Sequence, residues 1–220
     1  MWERFCGKEN EYNKQFEELL RMKIACLDFE GVLVPEIWVN LAEQTKIPEF
    51  RVTTRDIADY DELMCYRLDL MKEHKLSYND LNKAAEKLEP LPGALEFLIW
   101  LRSHYQVAII SDTFYELAGP LLSKLDNPMT LCHRLTIGSD GNIIDYRLRQ
   151  VDPKRHCVKA FQSLGYEVAA AGDSYNDISM LKQAENGILF QPSEKVANDF
   201  PNFPIALDYE ELKAMYAELI

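Results

Sequence analysis

Lys23-Ile24-Ala25-Cys26-Leu27-Asp28-Phe29-Glu30-Gly31-Val32-Leu33-Val34 is the stretch whose reading decides the fold. A short apolar run, Ile24 to Leu27, breaks off into two acidic residues and a glycine. An unbroken apolar run of that length fits a strand buried on both faces, as in a parallel sheet. The acids then lie at the strand's C-terminal end. A second stretch repeats the arrangement, with Val168-Ala169-Ala170-Ala171 running into Gly172-Asp173-Ser174-Tyr175-Asn176-Asp177. Two such strands deliver their carboxylates to one sheet edge, which suits a hard cation and a phosphate.

Outward from these strands the pattern alternates. Residues 36–89 are helical in pattern, with Leu63, Leu68, Leu70, Met71 and Leu76, then Leu81, Ala84, Ala85 and Leu88 near helical spacing. Pro90-Leu91-Pro92-Gly93 closes that segment, and a helix is predicted from Ala94 to His104. A strand at Val107-Ala108-Ile109-Ile110 leads into Ser111-Asp112-Thr113, followed by a helix over about 114–125. A strand and hairpin around Ser139-Asp140-Gly141-Asn142 come next, then a helix from Pro153 to about Leu164. Later strands are expected at 187–190 and 204–207, with a terminal helix from Tyr209. This order implies an α/β fold: a doubly wound, Rossmann-like parallel sheet with a helical cap inserted after the first strand. The expected division is a core of residues 23–35 and 91–220, a cap of 36–90, and an N-terminal extension of 1–22.

Bulk properties narrow the partners. The 220 residues are 47% hydrophobic and 27% charged, an ordinary globular balance. A net charge of -12 argues against nucleic-acid or anionic-membrane binding, which need a positive footprint. Five scattered cysteines with no C-x-x-C suit a reducing compartment. No stretch approaches the ~20 apolar residues of a membrane span. The chain reads as soluble and cytoplasmic, and nothing in it sets an oligomeric state.

Four elements carry candidate chemistry: Asp28 with Glu30, Ser111-Asp112-Thr113, Lys154, and Asp173 with Asp177. Singly, each has a plain structural reading. Ser-Asp-Thr makes a good helix cap, and Lys154 is most simply a surface lysine in a first helical turn. Together, their order and strand-end placement point to a phosphoryl site.

That order resembles the haloacid dehalogenase-like phosphohydrolase superfamily over roughly residues 23–210, marked by Asp-x-Asp, a strand-end Ser/Thr, a Lys and Gly-Asp-x-x-x-Asp. The phosphoserine phosphatase branch is the most similar. The resemblance implies that Asp28 is a nucleophile forming an aspartyl-phosphate, and Glu30 its acid/base. It implies Mg²⁺ held by Asp28, the Glu30 main-chain carbonyl, Asp173 and Asp177. Ser111, Lys154 and main-chain N–H groups near Gly31 and Asp112 would hold phosphoryl oxygens. Glu36, Arg67 and Asn176 would meet the amino-acid part of phosphoserine, with Arg55 a weaker competitor of Arg67. Trp38, Phe114 and Tyr115 are expected to pack cap against core.

Glu30 departs from the family's usual Asp. With Val34-Pro35-Glu36-Ile37-Trp38 and Ser111-Asp112-Thr113-Phe114-Tyr115, it resembles the group described as phosphoserine phosphatases with homoserine phosphotransferase activity. Hydrolysis of phosphoserine is the first expectation and transfer to homoserine the alternative. A phospho-aspartate signalling receiver would lack the helical insertion and leave Gly172–Asp177 without a place. A metal-free dehalogenase leaves Glu30 and Asp177 without purpose. Kinase and dinucleotide folds lack their glycine loops here.

Overall fold

The computed structural model describes residues 22–54, 56–57 and 59–220. The expected extension, apart from Met22, and Arg55 therefore lie outside the described residues. The chain builds a seven-stranded sheet: β1 (Lys23–Leu27), β2 (Gln106–Phe114), β3 (Met129–Ile137), β4 (Ile143–Arg147), β5 (Glu167–Gly172), β6 (Asn186–Phe190) and β7 (Ile205–Ala206). Their order across the sheet is β4-β3-β2-β1-β5-β6-β7. All neighbours are parallel except β3 and β4, an antiparallel hairpin. From β1 the chain builds outward through β2 to β4, then returns to place β5 on the opposite flank. The topological switch point thus lies beside β1, where ligands of open α/β sheets bind.

Alternation along the strands sorts the core onto two faces. Ala25, Leu27, Ile109, Ala169, Ala171, Ile188 and Phe190 face one side. Ile24, Cys26, Ala108, Ile110, Val168, Ala170 and Leu189 face the other. Between β1 and β2 come α1 (Ile37–Thr45), a 3₁₀ turn at Pro48–Arg51, α2 (Tyr60–Glu73), α3 (Tyr78–Glu86) and α4 (Ala94–Arg102). Then follow α5 (Tyr115–Lys124), α6 (Pro153–Ser163), α7 (Ile178–Gln183), α8 (Glu194–Asp199) and α9 (Tyr209–Glu218). Phe97, Leu98, Leu121, Leu212 and Tyr216 of α4, α5 and α9 cover the first face. Cys157, Val158, Met180, Leu181 and Val196 of α6, α7 and α8 cover the second. Helices on both faces make the sheet doubly wound, as the alternation predicts.

The segment from α1 to α3 shares its apolar core with the first face, through Ile37, Trp38, Leu41, Met64, Leu81 and Ala84. Two polar links tie it to the β3–β4 hairpin: Tyr146 Oη donates to Asp61 Oδ1 at 2.7 Å, and Tyr78 N to the Gly141 carbonyl at 3.0 Å. Among the described residues no helix is long and apolar enough to cross a membrane.

The boundary that bears on the site differs from expectation. β2 runs on through Ser111, Asp112 and Thr113 to Phe114, with a register shift against β3 after Ile110. The polar triplet ends the apolar run but not the extended backbone.

Candidate active site

Parallel pairing brings the chemistry-bearing residues together. Leu27 pairs with Ile109 and with Ala171, so Asp28 emerges level with Ile110 of β2 and with Gly172 at the end of β5. Its N–H donates to the Ala171 carbonyl at 3.0 Å, prolonging the β5 ladder. Asp173 follows β5 directly. Gly31, at φ +85°, turns the chain so tightly beside it that a Cβ there would lie 2.6 Å from Asp173 Oδ1. A Cβ on Gly172 would lie 2.3 Å from Asp177 Cγ. Both glycines are required by close approach.

Lys154, in the first turn of α6, is buried, against the simple reading of it as a surface lysine. Its Nζ lies 2.8 Å from Asp28 Oδ1, 2.6 Å from Asp177 Oδ1 and 3.8 Å from Asp112 Oδ2. Burial opposes its charge, but Asp177, Asp28 and Asp112 outweigh burial and raise its pKa well above the lysine range. Burial raises Asp28 well above the carboxylate range, with Asp177 and Asp173 adding to it and Lys154 opposing. Asp177 is fully tied down: Oδ2 accepts the N–H groups of Asp173 and Ser174 at 3.0 and 3.1 Å.

Asp28, Asp173 and Asp177 are all buried, and one carboxylate oxygen from each lies within 4.8 Å of the others. Three buried carboxylates set against one buried ammonium leave a surplus of acidic groups. An all-oxygen donor set with that surplus fits a hard divalent cation.

A cleft opens above this cluster, lined by Asp28, Glu30, Glu36, Trp38, Arg67 and Asn176 together with the end of β2. Glu30 Oε1 accepts the Ile37 N–H at 2.7 Å. Burial and then the Glu36 charge push Glu30 up to about 7, against the Ile37 N–H, Arg67 and the Thr113 hydroxyl. Arg67 is buried, donates to the Val52 carbonyl at 3.0 Å and lies 4.7 Å from the Trp38 ring centre. Its Nε has no partner among the described residues. Burial lowers its pKa below the arginine value.

The expected residues thus converge, with two adjustments. The Gly31 N–H, expected at the phosphate cradle, already donates to the Val34 carbonyl at 2.8 Å within its own loop. Gly31 serves by letting the loop approach Asp173. Trp38 and Phe114, expected to pack, are buried and also line the cleft.

Three residues escaped sequence reasoning: Thr113, Tyr60 and His133. Thr113 belonged to a quoted motif but had no assigned role. Tyr60 Oη donates to the Asp112 carbonyl. Buried His133 accepts the Arg149 N–H at Nδ1 (3.1 Å) and places Nε2 3.4 Å from Asp112 Oδ1. Asn176 Nδ2 donates to Asp112 Oδ2 at 2.9 Å. Burial disfavours ionised Asp112, yet Lys154 and the His133 and Asn176 hydrogen bonds hold its pKa down to about 2. No sequence pattern announces His133 or Tyr60, because their partners are remote in the chain.

Residues 22–185 match the haloacid dehalogenase-like hydrolase family. The chain is 54% identical over 192 residues to phosphoserine phosphatase ThrH of Pseudomonas aeruginosa, covering 87% of this chain and 94% of that protein. It is 52% identical over 192 residues to a phosphoserine phosphatase of Pseudomonas syringae pv. tomato, covering 87% and 81%. Its fold is similar to that of a substrate-bound phosphoserine phosphatase complex, with TM-score 0.75 and 23% identity, covering 89% of this chain and 98% of that one. With the Asp28 loop, Lys154 and the Asp173–Asp177 loop all inside the matched span, the chain belongs to the haloacid dehalogenase-like hydrolase family.

Proposed function

We propose that this protein is a Mg²⁺-dependent phosphatase that hydrolyses L-phosphoserine through an aspartyl-phosphate on Asp28. One observation carries the reading: a buried carboxylate at the end of β1 lies 2.8 Å from a buried lysine, beneath a cleft that also holds Glu30 and Arg67. The two relatives above 50% identity, both named phosphoserine phosphatases, support the choice of substrate.

Asp28 attacks phosphorus through one carboxylate oxygen, and the P–O bond to the serine oxygen breaks. Glu30, with a pKa of about 7, is populated as the acid near neutrality and gives its proton to the departing alkoxide. The ionised Glu30 then takes a proton from water, whose oxygen attacks the acyl-phosphate and releases phosphate. Splitting the reaction this way replaces one difficult displacement with two easier ones. Lys154 and Ser111 hold phosphoryl oxygens, and Lys154 offsets the repulsion between Asp28 and a phosphate dianion. Asp28, Asp173, Asp177 and the Glu30 main-chain carbonyl would hold Mg²⁺, which supplies positive charge to the transferring group. Arg67 offers a buried guanidinium with an uncommitted Nε to the substrate carboxylate, and Glu36 faces its ammonium. Residues 36–90 act as the cap that closes this cleft.

Incubation with phosphoserine, with and without homoserine, tests the assignment. Free phosphate in both mixtures is expected. Phosphohomoserine as the main product would replace hydrolysis by phosphotransfer, and rapid turnover of other phosphomonoesters but not phosphoserine would reject the substrate.

A further inference from the structure

Ser111 and Tyr60 grip opposite sides of one peptide group. The Thr113 N–H donates to Ser111 Oγ at 3.2 Å, and the Asp112 carbonyl accepts from Tyr60 Oη. That carbonyl and that N–H belong to the same planar unit, joined by the 112–113 peptide bond. A hydroxyl has one proton and two lone pairs. With a lone pair of Ser111 Oγ taken by the Thr113 N–H, its own O–H cannot be spent on that group, and Ser111 lines the cleft. Tyr60 comes from the first residue of α2, far along the chain. Its ring is held edge-on to His133, with centroids 5.8 Å apart, and burial, then the nearby Asp112 charge, keeps the phenol protonated.

We propose that Tyr60 is a positioning residue that orients the Ser111 hydroxyl toward the phosphoryl group through the 112–113 peptide. The inference rests on the reading of Ser111 as a phosphoryl ligand and deepens it by linking that ligand to the inserted helical segment. A hydrogen bond at the carbonyl end of a peptide polarises it and strengthens the bond made by its N–H. Tyr60 also fixes the tilt of the peptide plane, so losing its hydroxyl frees Ser111 to rotate. A separate tie of α2, Tyr146 to Asp61, lies on the hairpin side and does not line the cleft. It provides a control for simple loosening of the helix.

The test is a double-mutant cycle read by binding of inorganic phosphate to the full-length Mg²⁺-loaded protein, alongside kcat and KM for phosphoserine. Tyr60→Phe is expected to weaken phosphate binding about 3- to 10-fold, the range of one net hydrogen bond. In the Ser111→Ala background the same change is expected to have no further effect, and Tyr146→Phe alone should leave binding unchanged. Ser111→Cys, which keeps the side chain's size, repeats the cycle if the alanine variant folds poorly. Equal losses from Tyr60→Phe in both backgrounds, no loss in either, or an equal loss from Tyr146→Phe would overturn the relay. If Ser111→Ala itself leaves phosphate binding intact, the assignment of Ser111 fails, and the relay fails with it.

Discussion

The carboxylate of Glu30 accepts the main-chain N–H of Ile37 at 2.7 Å, so the proposed acid/base also caps the first helix of the inserted segment. Glu36 occupies the N-cap position of that helix but makes no side-chain capping bond. The Ile37 N–H, one of the N–H groups that a helix start leaves without an intrahelical partner, is met from the loop that carries Asp28. The longer side chain at position 30 therefore has a structural use: it couples the reacting end of the loop to α1.

Glu30→Gln keeps the length and loses the proton. Its kcat should fall by roughly 10²- to 10⁴-fold, the usual worth of a positioned acid/base. Glu30→Asp keeps the proton and shortens the reach to Ile37, so its loss should be smaller. Steady-state rates with phosphoserine decide the order, and an Asp variant weaker than the Gln variant would contradict it.

Stability should carry the Glu30 titration in metal-free protein. Its pKa rises from 4.5 to about 7 on folding, so the folded state binds this proton more tightly than the unfolded chain. The resulting stability is fully present below about 4.5 and is lost as pH rises through about 7. Glu30→Gln does not titrate, so its melting temperature should gain on the native chain between pH 5 and pH 8 in chelator. A difference independent of pH would contradict the shift.

Removal of the cation should be felt by the fold. Asp28, Asp173 and Asp177 crowd three buried carboxylates around one lysine, and a ligand that binds only the folded state stabilises it by mass action. Magnesium at a hundred times its dissociation constant adds about 2.7 kcal/mol. The melting temperature should therefore rise with magnesium and return with chelator. In Asp173→Asn most of that rise should disappear, together with activity.

Arg67→Lys should separate substrate recognition from chemistry. A planar guanidinium with a free Nε pairs with a carboxylate in a way that an ammonium cannot. Charged hydrogen bonds of this kind are worth about 1.5–3 kcal/mol, so KM for phosphoserine should rise roughly 10- to 100-fold. Phosphoethanolamine, which lacks the carboxylate, should be turned over unchanged, and a matching loss with both substrates would refute the pairing.

Much of this site was legible because it is written next to apolar runs. Asp28 and Asp173 each end a buried strand, so periodicity alone puts them at one sheet edge. Ser111, Lys154 and Asp177 were placed by the resemblance of their order along the chain to the family's motifs. The end of β2 was not legible, because Ser111, Asp112 and Thr113 interrupt the hydrophobic signal while the backbone stays extended. The burial of Lys154 was hidden for a related reason. Its neighbours in sequence are those of an exposed helical turn, and only the tertiary approach of Asp28 and Asp177 stabilises its charge inside. Tyr60 and His133 gave no signal at all, since their partner Asp112 lies on another element.

The central claim is a covalent phosphoryl group on Asp28. Rapid acid quenching of the magnesium-loaded protein during turnover of ³²P-phosphoserine, followed by peptide mapping, tests it most directly. The account predicts acid-stable, hydroxylamine-labile label on the peptide containing Asp28, and neither label nor turnover in Asp28→Asn. Undiminished turnover by Asp28→Asn, or label confined to another residue, would contradict it.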